Sequence, residues 1–180
     1  EERLHQHEGN PHGRGRRPLG AAGTGHRSEQ AADQVPEGDE RLTELASVSA
    51  GEEAVLLALN NEHAVELSWL DAARLRHLLK EAFYARRAGN VAAFLMAFDQ
   101  DAEYDSPNYL WFRKRYPRFV YVDRIVVDPA MRKRGLAKHL YDDLFRMAKD
   151  AGHDRIVCEV NTDPPNPASD AFHAALGFVE

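Results

Sequence analysis

Residues 132–137, Arg132-Lys133-Arg134-Gly135-Leu136-Ala137, set three cations and a glycine directly before a helical pattern. A helix start leaves backbone N–H groups without carbonyl partners and carries a partial positive charge, so main chain alone can hold a diphosphate there. Gly135 removes the Cβ where an anion must approach, Ala137 keeps the second contact small, and Arg132, Lys133 and Arg134 add cationic field. Two other readings compete. A lone glycine among arginines also makes a solvated basic turn; a nucleotide loop of the Walker type fits less well, because no Lys-Ser/Thr pair follows Gly135.

What positions this loop is a strand before it and a helix after it. Phe119-Val120-Tyr121-Val122-Asp123-Arg124-Ile125-Val126-Val127 is β-branched and aromatic, the composition of a strand covered on both faces, and Asp128-Pro129 stops it. Leu136, Leu140, Leu144 and Met147 then recur at helical spacing up to Ala151-Gly152. A second β-branched strand, residues 154–161, follows, so strand, loop, helix and parallel strand make one right-handed βαβ unit. Residues 166–178 read as a short helix with Pro167 early and Gly177 as its left-handed cap. The two helix starts face the same strand ends.

Upstream, Ala54-Val55-Leu56-Leu57-Ala58-Leu59 is an apolar run of strand length ended by Asn60-Asn61. Asp71 caps a helix carrying Leu75, Leu78, Leu79 and Ala82, and residues 83–87 and 91–98 form a hairpin around Ala88-Gly89-Asn90. Asp105-Ser106-Pro107 starts a helix whose Trp111 and Phe112 are expected to pack on the sheet.

At this point the residues resemble the GNAT superfamily of acyl-CoA-dependent N-acetyltransferases. Arg132 through Ala137 match its Arg/Gln-x-x-Gly-x-Gly/Ala signature, and Asn166, Ser169, Phe172, His173, Gly177 and Phe178 fall on the pattern of its last helix. The match covers about a third of the chain directly, with the two parts in the right order. The resemblance implies an α/β (α+β) fold: a mixed, mostly antiparallel central sheet with a βαβ acetyl-CoA-binding unit and helices on both faces. It implies acetyl-CoA as cosubstrate, held by the Gly135 loop with Asn166 and Ser169, its pantetheine arm along the backbone of Val126 and Val127. It also implies two more strands after Gly177-Phe178, so the chain is expected to be C-terminally incomplete, its last strands missing and the strand 155–161 left with an unpaired edge.

The activity implied is transfer of the acetyl group to an amine by direct attack in a ternary complex. Many family members place a tyrosine where His173 stands, to protonate the leaving thiolate; an imidazole can also donate, or His173 is a satisfied, half-buried residue. For the base, Asp123 shares a strand face with Tyr121, Ile125 and Val127, while Glu159 sits on the neighbouring strand. Asp123 is the first choice; either carboxylate alternatively pairs with Arg124 or Arg155. Tyr104, Asp105, Ser106 and Tyr109, with Asn61, Glu62 and His63, are candidates for the acceptor side. Acidic Glu62, Asp101, Glu103 and Asp105 hint at a cationic acceptor, although a solvated face explains them equally. The competing class is an acyl-CoA-binding module that keeps the loop and no longer transfers.

Composition bounds the rest. A hydrophobic fraction of 43% supplies a core, and a net charge of -6 with pI near 5.9 gives no bulk attraction to nucleic acid. The single cysteine, Cys158, excludes an internal disulfide and a cysteine-based zinc site, and is expected in the core. No metal is expected: His5, His7 and His12 lie in a stretch, residues 1–49, too poor in large apolar groups to order itself, so the domain is placed at 50–180. A short helix over 39–46 is the exception entertained there. No run is long enough for a membrane span and no leader is visible, so a cytoplasmic protein is expected. Family members often dimerise, which leaves a homodimer open.

Overall fold

The computed structural model of the protein describes residues 2–8, 41–65 and 67–179. Along the chain run β1 (Glu2–Glu8), β2 (Leu45–Ser47), a 3-10 turn (Ala50–Glu52), α1 (Glu53–Glu62), α2 (Ala72–Glu81), β3 (Tyr84–Ala88) and β4 (Ala93–Asp99). There follow α3 (Pro107–Arg113), β5 (Val120–Val127), a second 3-10 turn (Pro129–Met131), α4 (Leu136–Asp150), β6 (Arg155–Asn161) and α5 (Pro167–Ala175). The six strands form one sheet in the order β1-β6-β5-β4-β3-β2. Every pair is antiparallel except β5 and β6, which the α4 crossover makes parallel.

Alternation along β4 divides the core in two. Phe94, Met96 and Phe98 pack with leucines of α1 and α2 and aromatics of α3 on one face. Ala93, Leu95 and Ala97 face Leu136, Leu140, Tyr141 and Leu144 of α4 on the other. Small residues on the α4 side let that helix approach the sheet closely, while the bulky side fills the space under three shorter helices. Asp71 caps α2 by accepting from the Arg74 N–H at 2.7 Å, and Ser106 caps α3.

Four expectations are corrected. The run 54–59 is not a strand: Leu56, Leu59 and Asn60 are buried while Val55 is 53% exposed, a helical face. The Ser49 N–H donates to Glu52 Oε2 at 2.8 Å ahead of that helix; of the helix entertained over 39–46, residues 41–43 are helical, whereas 45–47 form β2. Residues 2–8 are ordered as β1, which pairs antiparallel with β6 from Glu2↔Asn161 to Glu8↔Arg155. The edge of β6 is therefore paired, and Gln6 and Val179 exchange two further backbone bonds at 2.9 and 2.8 Å on the outer side of β1. Trp111 is 37% exposed with the Arg115 guanidinium 3.5 Å over its ring, whereas Phe112 is buried as expected.

Residues 9–40, on which the expectation of disorder chiefly fell, lie outside the described residues, as do His12 and the side chains of His5 and His7. Among the described residues no helix is long and apolar enough to cross a membrane.

Candidate active site

Two irregularities in β5 open the sheet. The parallel ladder to β6 covers only Val120↔Ile156, Tyr121↔Val157 and Val122↔Cys158, although both strands continue. On the other edge, Met96 opposes Arg124 and Ala97 opposes Val122, so Asp123 is an extra residue, a β-bulge. The bulge reverses the alternation. Tyr121 packs with the α1–α3 side and so does Val126, while Val122, Ile125 and Val127 pack toward α4. Asp123 therefore does not share a face with Ile125 and Val127, as unbroken alternation had implied.

A cleft of about 920 Å³ fills this opening. At one end it is lined by Arg132, Lys133, Gly135, Leu136, Ala137 and Lys138; along its length by Val126 and Val127; and near α5 by Asn166, Ser169 and His173. Arg134 does not line it. Gly135 stands at φ +77° as the residue before α4, in the left-handed region, and no side chain caps the helix. Among the described residues, a Cβ on Gly135 would meet no atom within 4 Å beyond its own chain neighbours, so the space above the helix start is open to a ligand. Backbone donors, a helix dipole and flanking cations fit the diphosphate of coenzyme A.

At the other end stand two carboxylates with different partners. Asp123 Oδ2 accepts from Arg124 Nε at 2.5 Å and its Oδ1 accepts from the Tyr104 hydroxyl at 2.5 Å. Glu159 Oε1 accepts from the Tyr121 hydroxyl at 2.5 Å and from Asn108 Nδ2 at 3.1 Å. Burial first, then the Glu159 carboxylate, holds the Tyr121 phenol well above its ordinary pKa, and burial with Asp123 does the same to Tyr104. Both phenols stay protonated and donate. Of the acceptor-side candidates, Tyr104, Ser106 and His63 line the cleft. Tyr109 is buried, donating to the Asp99 and Ala102 carbonyls, Asp105 pairs with Arg74, and Asn61 bonds the backbone of Leu70. Those three do not reach it.

His173 is buried. Its Nδ1 lies 2.8 Å from the Ser169 carbonyl, which can only accept, so Nδ1 carries the proton. Nε2 then accepts from the Tyr141 hydroxyl at 2.8 Å. Tyr141, missed in the sequence because it lies beside the leucine stripe of α4, also lines the cleft, and burial raises its pKa well above the ordinary value. Asn166 Oδ1 accepts from the Ser169 N–H at 3.2 Å and so caps α5. Cys158 is a buried free thiol whose pKa burial raises.

Residues 41–178 match the Acetyltransferase (GNAT) family. The chain belongs to that family. The matched residues take in β2. Among curated proteins none matches the chain. Three solved structures share the GNAT fold. AAC(6')-Iy in complex with the bisubstrate analogue CoA-S-monomethyl-acetylneamine is 21% identical, with 76% of this chain and 90% of that one covered at a TM-score of 0.57. The aminoglycoside antibiotic 6'-N-acetyltransferase AAC(6')-IG from Acinetobacter haemolyticus is 22% identical, covering 77% and 92% at 0.58. A Trypanosoma brucei acetyltransferase is 19% identical, covering 76% and 92% at 0.55.

Proposed function

We propose that this GNAT domain transfers the acetyl group of acetyl-CoA to an amine by direct attack in a ternary complex. One observation carries this: a single cleft joins an anion-binding helix start at Gly135 to a carboxylate and phenol cluster at Glu159 and Tyr121. The Gly135–Ala137 amides, with Arg132 and Lys133, bind the diphosphate, and the divergent backbone of Val126 and Val127 aligns the acyl arm. A backbone N–H of the splayed strand near Val126 stabilises the charge that develops on the thioester oxygen.

The acceptor ammonium first loses a proton, and Glu159 takes it through water. Asp123, the first choice from sequence, is committed to Arg124 and Tyr104. The amine nitrogen then bonds to the acetyl carbon as the carbon–sulfur bond breaks, and the departing thiolate needs a proton. The Tyr141 hydroxyl, oriented by His173 Nε2 at 2.8 Å, gives the thiolate that proton, and the proton that the attacking nitrogen sheds as it becomes the amide returns to Tyr141 through water. An amine of a small cationic molecule, such as the aminoglycosides named for the solved relatives, suits the Glu159 carboxylate, although Glu62, Asp101, Glu103 and Asp105 do not line the cleft.

The test is release of free CoA thiol from acetyl-CoA against a panel holding neamine, spermidine and a peptide amino terminus. Amine-dependent thiol release is the expected result. Acetyl-CoA that raises the melting temperature without amine-dependent thiol release would instead make the chain an acyl-CoA-binding module.

A further inference from the structure

We infer that Arg124 is a positioning residue for the acceptor, acting through the loop at 63–70; this rests on the transferase reading above. An arginine at 3% exposure is costly to bury unless it is paired and hydrogen-bonded. Here the fork is divided between two structures. Nε donates to Asp123 Oδ2 at 2.5 Å, on the bulge itself. Nη1 donates to Asn60 Oδ1 at 2.7 Å, at the end of α1, and Nη2 to Ser68 Oγ at 3.3 Å, in the loop between α1 and α2. Asn60 Nδ2 closes the circuit by donating to the Ser68 carbonyl at 3.1 Å.

That loop supplies His63, Val65, Leu67 and Ser68 to the cleft wall, opposite the Gly135 loop's end. It carries side chains that little else holds, Val65 at 76% and Trp69 at 65% exposure. The bulge makes the link possible. It turns two consecutive residues, Asp123 and Arg124, toward the same side of the sheet, where regular alternation would send one of them to α4. Asn61 pins the far end of the loop by two bonds to the Leu70 backbone, at 2.9 and 3.0 Å, and the guanidinium fixes the distance between the reacting end of β5 and Ser68. A lysine carries the same charge but has no planar fork to span three partners.

The experiment compares wild type with Arg124→Lys, which keeps a cation beside Asp123, and with Ser68→Ala, which leaves the buried pair intact. The amine from the panel that wild type turns over fastest is the acceptor. Arg124→Lys is expected to raise its KM by about tenfold or more and Ser68→Ala by about threefold to fivefold, the scale of one or two lost hydrogen bonds. The Kd for acetyl-CoA by calorimetry stays within about twofold, and backbone amides 67–70 exchange hydrogen faster while those of α4 do not. A merely structural role would lower the melting temperature and leave the KM alone. Acceptor KM unchanged in both variants overturns the inference, as does a Kd for acetyl-CoA that rises in step with KM. A wild type inert toward every amine fails the transferase reading first, and this inference with it.

Discussion

Asp123 and Glu159 show how partners, rather than residue type, assign a task. Asp123 is the counter-ion of a buried arginine, so Asp123→Asn leaves Arg124 uncompensated and is expected to cost about 3–5 kcal/mol of stability. Its pH–rate profile should keep the wild-type shape. Glu159→Gln keeps an oxygen that can accept from Tyr121 and removes the proton acceptor, so kcat should fall about 10²–10⁴-fold with acetyl-CoA affinity unchanged. A wild-type kcat in that variant would remove Glu159 from the proton path. His153 gives a separate test of stability. Burial first, then Arg118, lowers its pKa below the ordinary histidine value. The unfolded chain therefore takes up a proton that the folded chain resists, and stability is lost as pH falls below about 6.5. Urea melts at pH 7 and pH 5 should show this slope weakened in His153→Gln.

At the scale of elements, caps and pairing carry predictions of their own. Asp71→Ala removes the acceptor at the start of α2 and should cost about 1 kcal/mol by chemical denaturation, without altering acetyl-CoA binding. Gln6→Pro deletes the N–H that bonds the Val179 carbonyl and should destabilise by about 1–3 kcal/mol, because β1 is integral to the sheet. The βαβ unit, the hairpin and the capped helices were legible because each is local: periodicity, a cap and a turn lie within one stretch. The run at 54–59 was misread because a short apolar segment has no period of its own, and only the burial of Leu56, Leu59 and Asn60 against exposed Val55 decides for helix. β1 was missed for the opposite reason. Its partner β6 lies near the far end of the chain, and no spacing rule reaches that far.

Over the whole molecule, the site exists because two layers meet at a gap in the sheet. The α4 side supplies the Gly135 loop, Tyr141 and, through α5, His173, whereas the α1–α3 side supplies Tyr104, Asn108 and the loop at 63–70. The loop's chemistry could be read from Arg132 to Ala137 alone. The bulge at Asp123 could not, since one unpaired residue leaves the composition of β5 unchanged while exchanging which side chains face the cleft. The arrangement depends on main-chain donors at Gly135, and a side chain there fails twice: φ +77° strains it, and a carboxylate opposes the diphosphate. Isothermal calorimetry of acetyl-CoA into the folded protein and into Gly135→Glu therefore tests the central claim most directly. Saturable binding by wild type, weakened roughly 100-fold in Gly135→Glu, is the expected result, the scale of about two charge-assisted hydrogen bonds. Equal affinity in the two proteins, or no heat of binding in wild type, would contradict it.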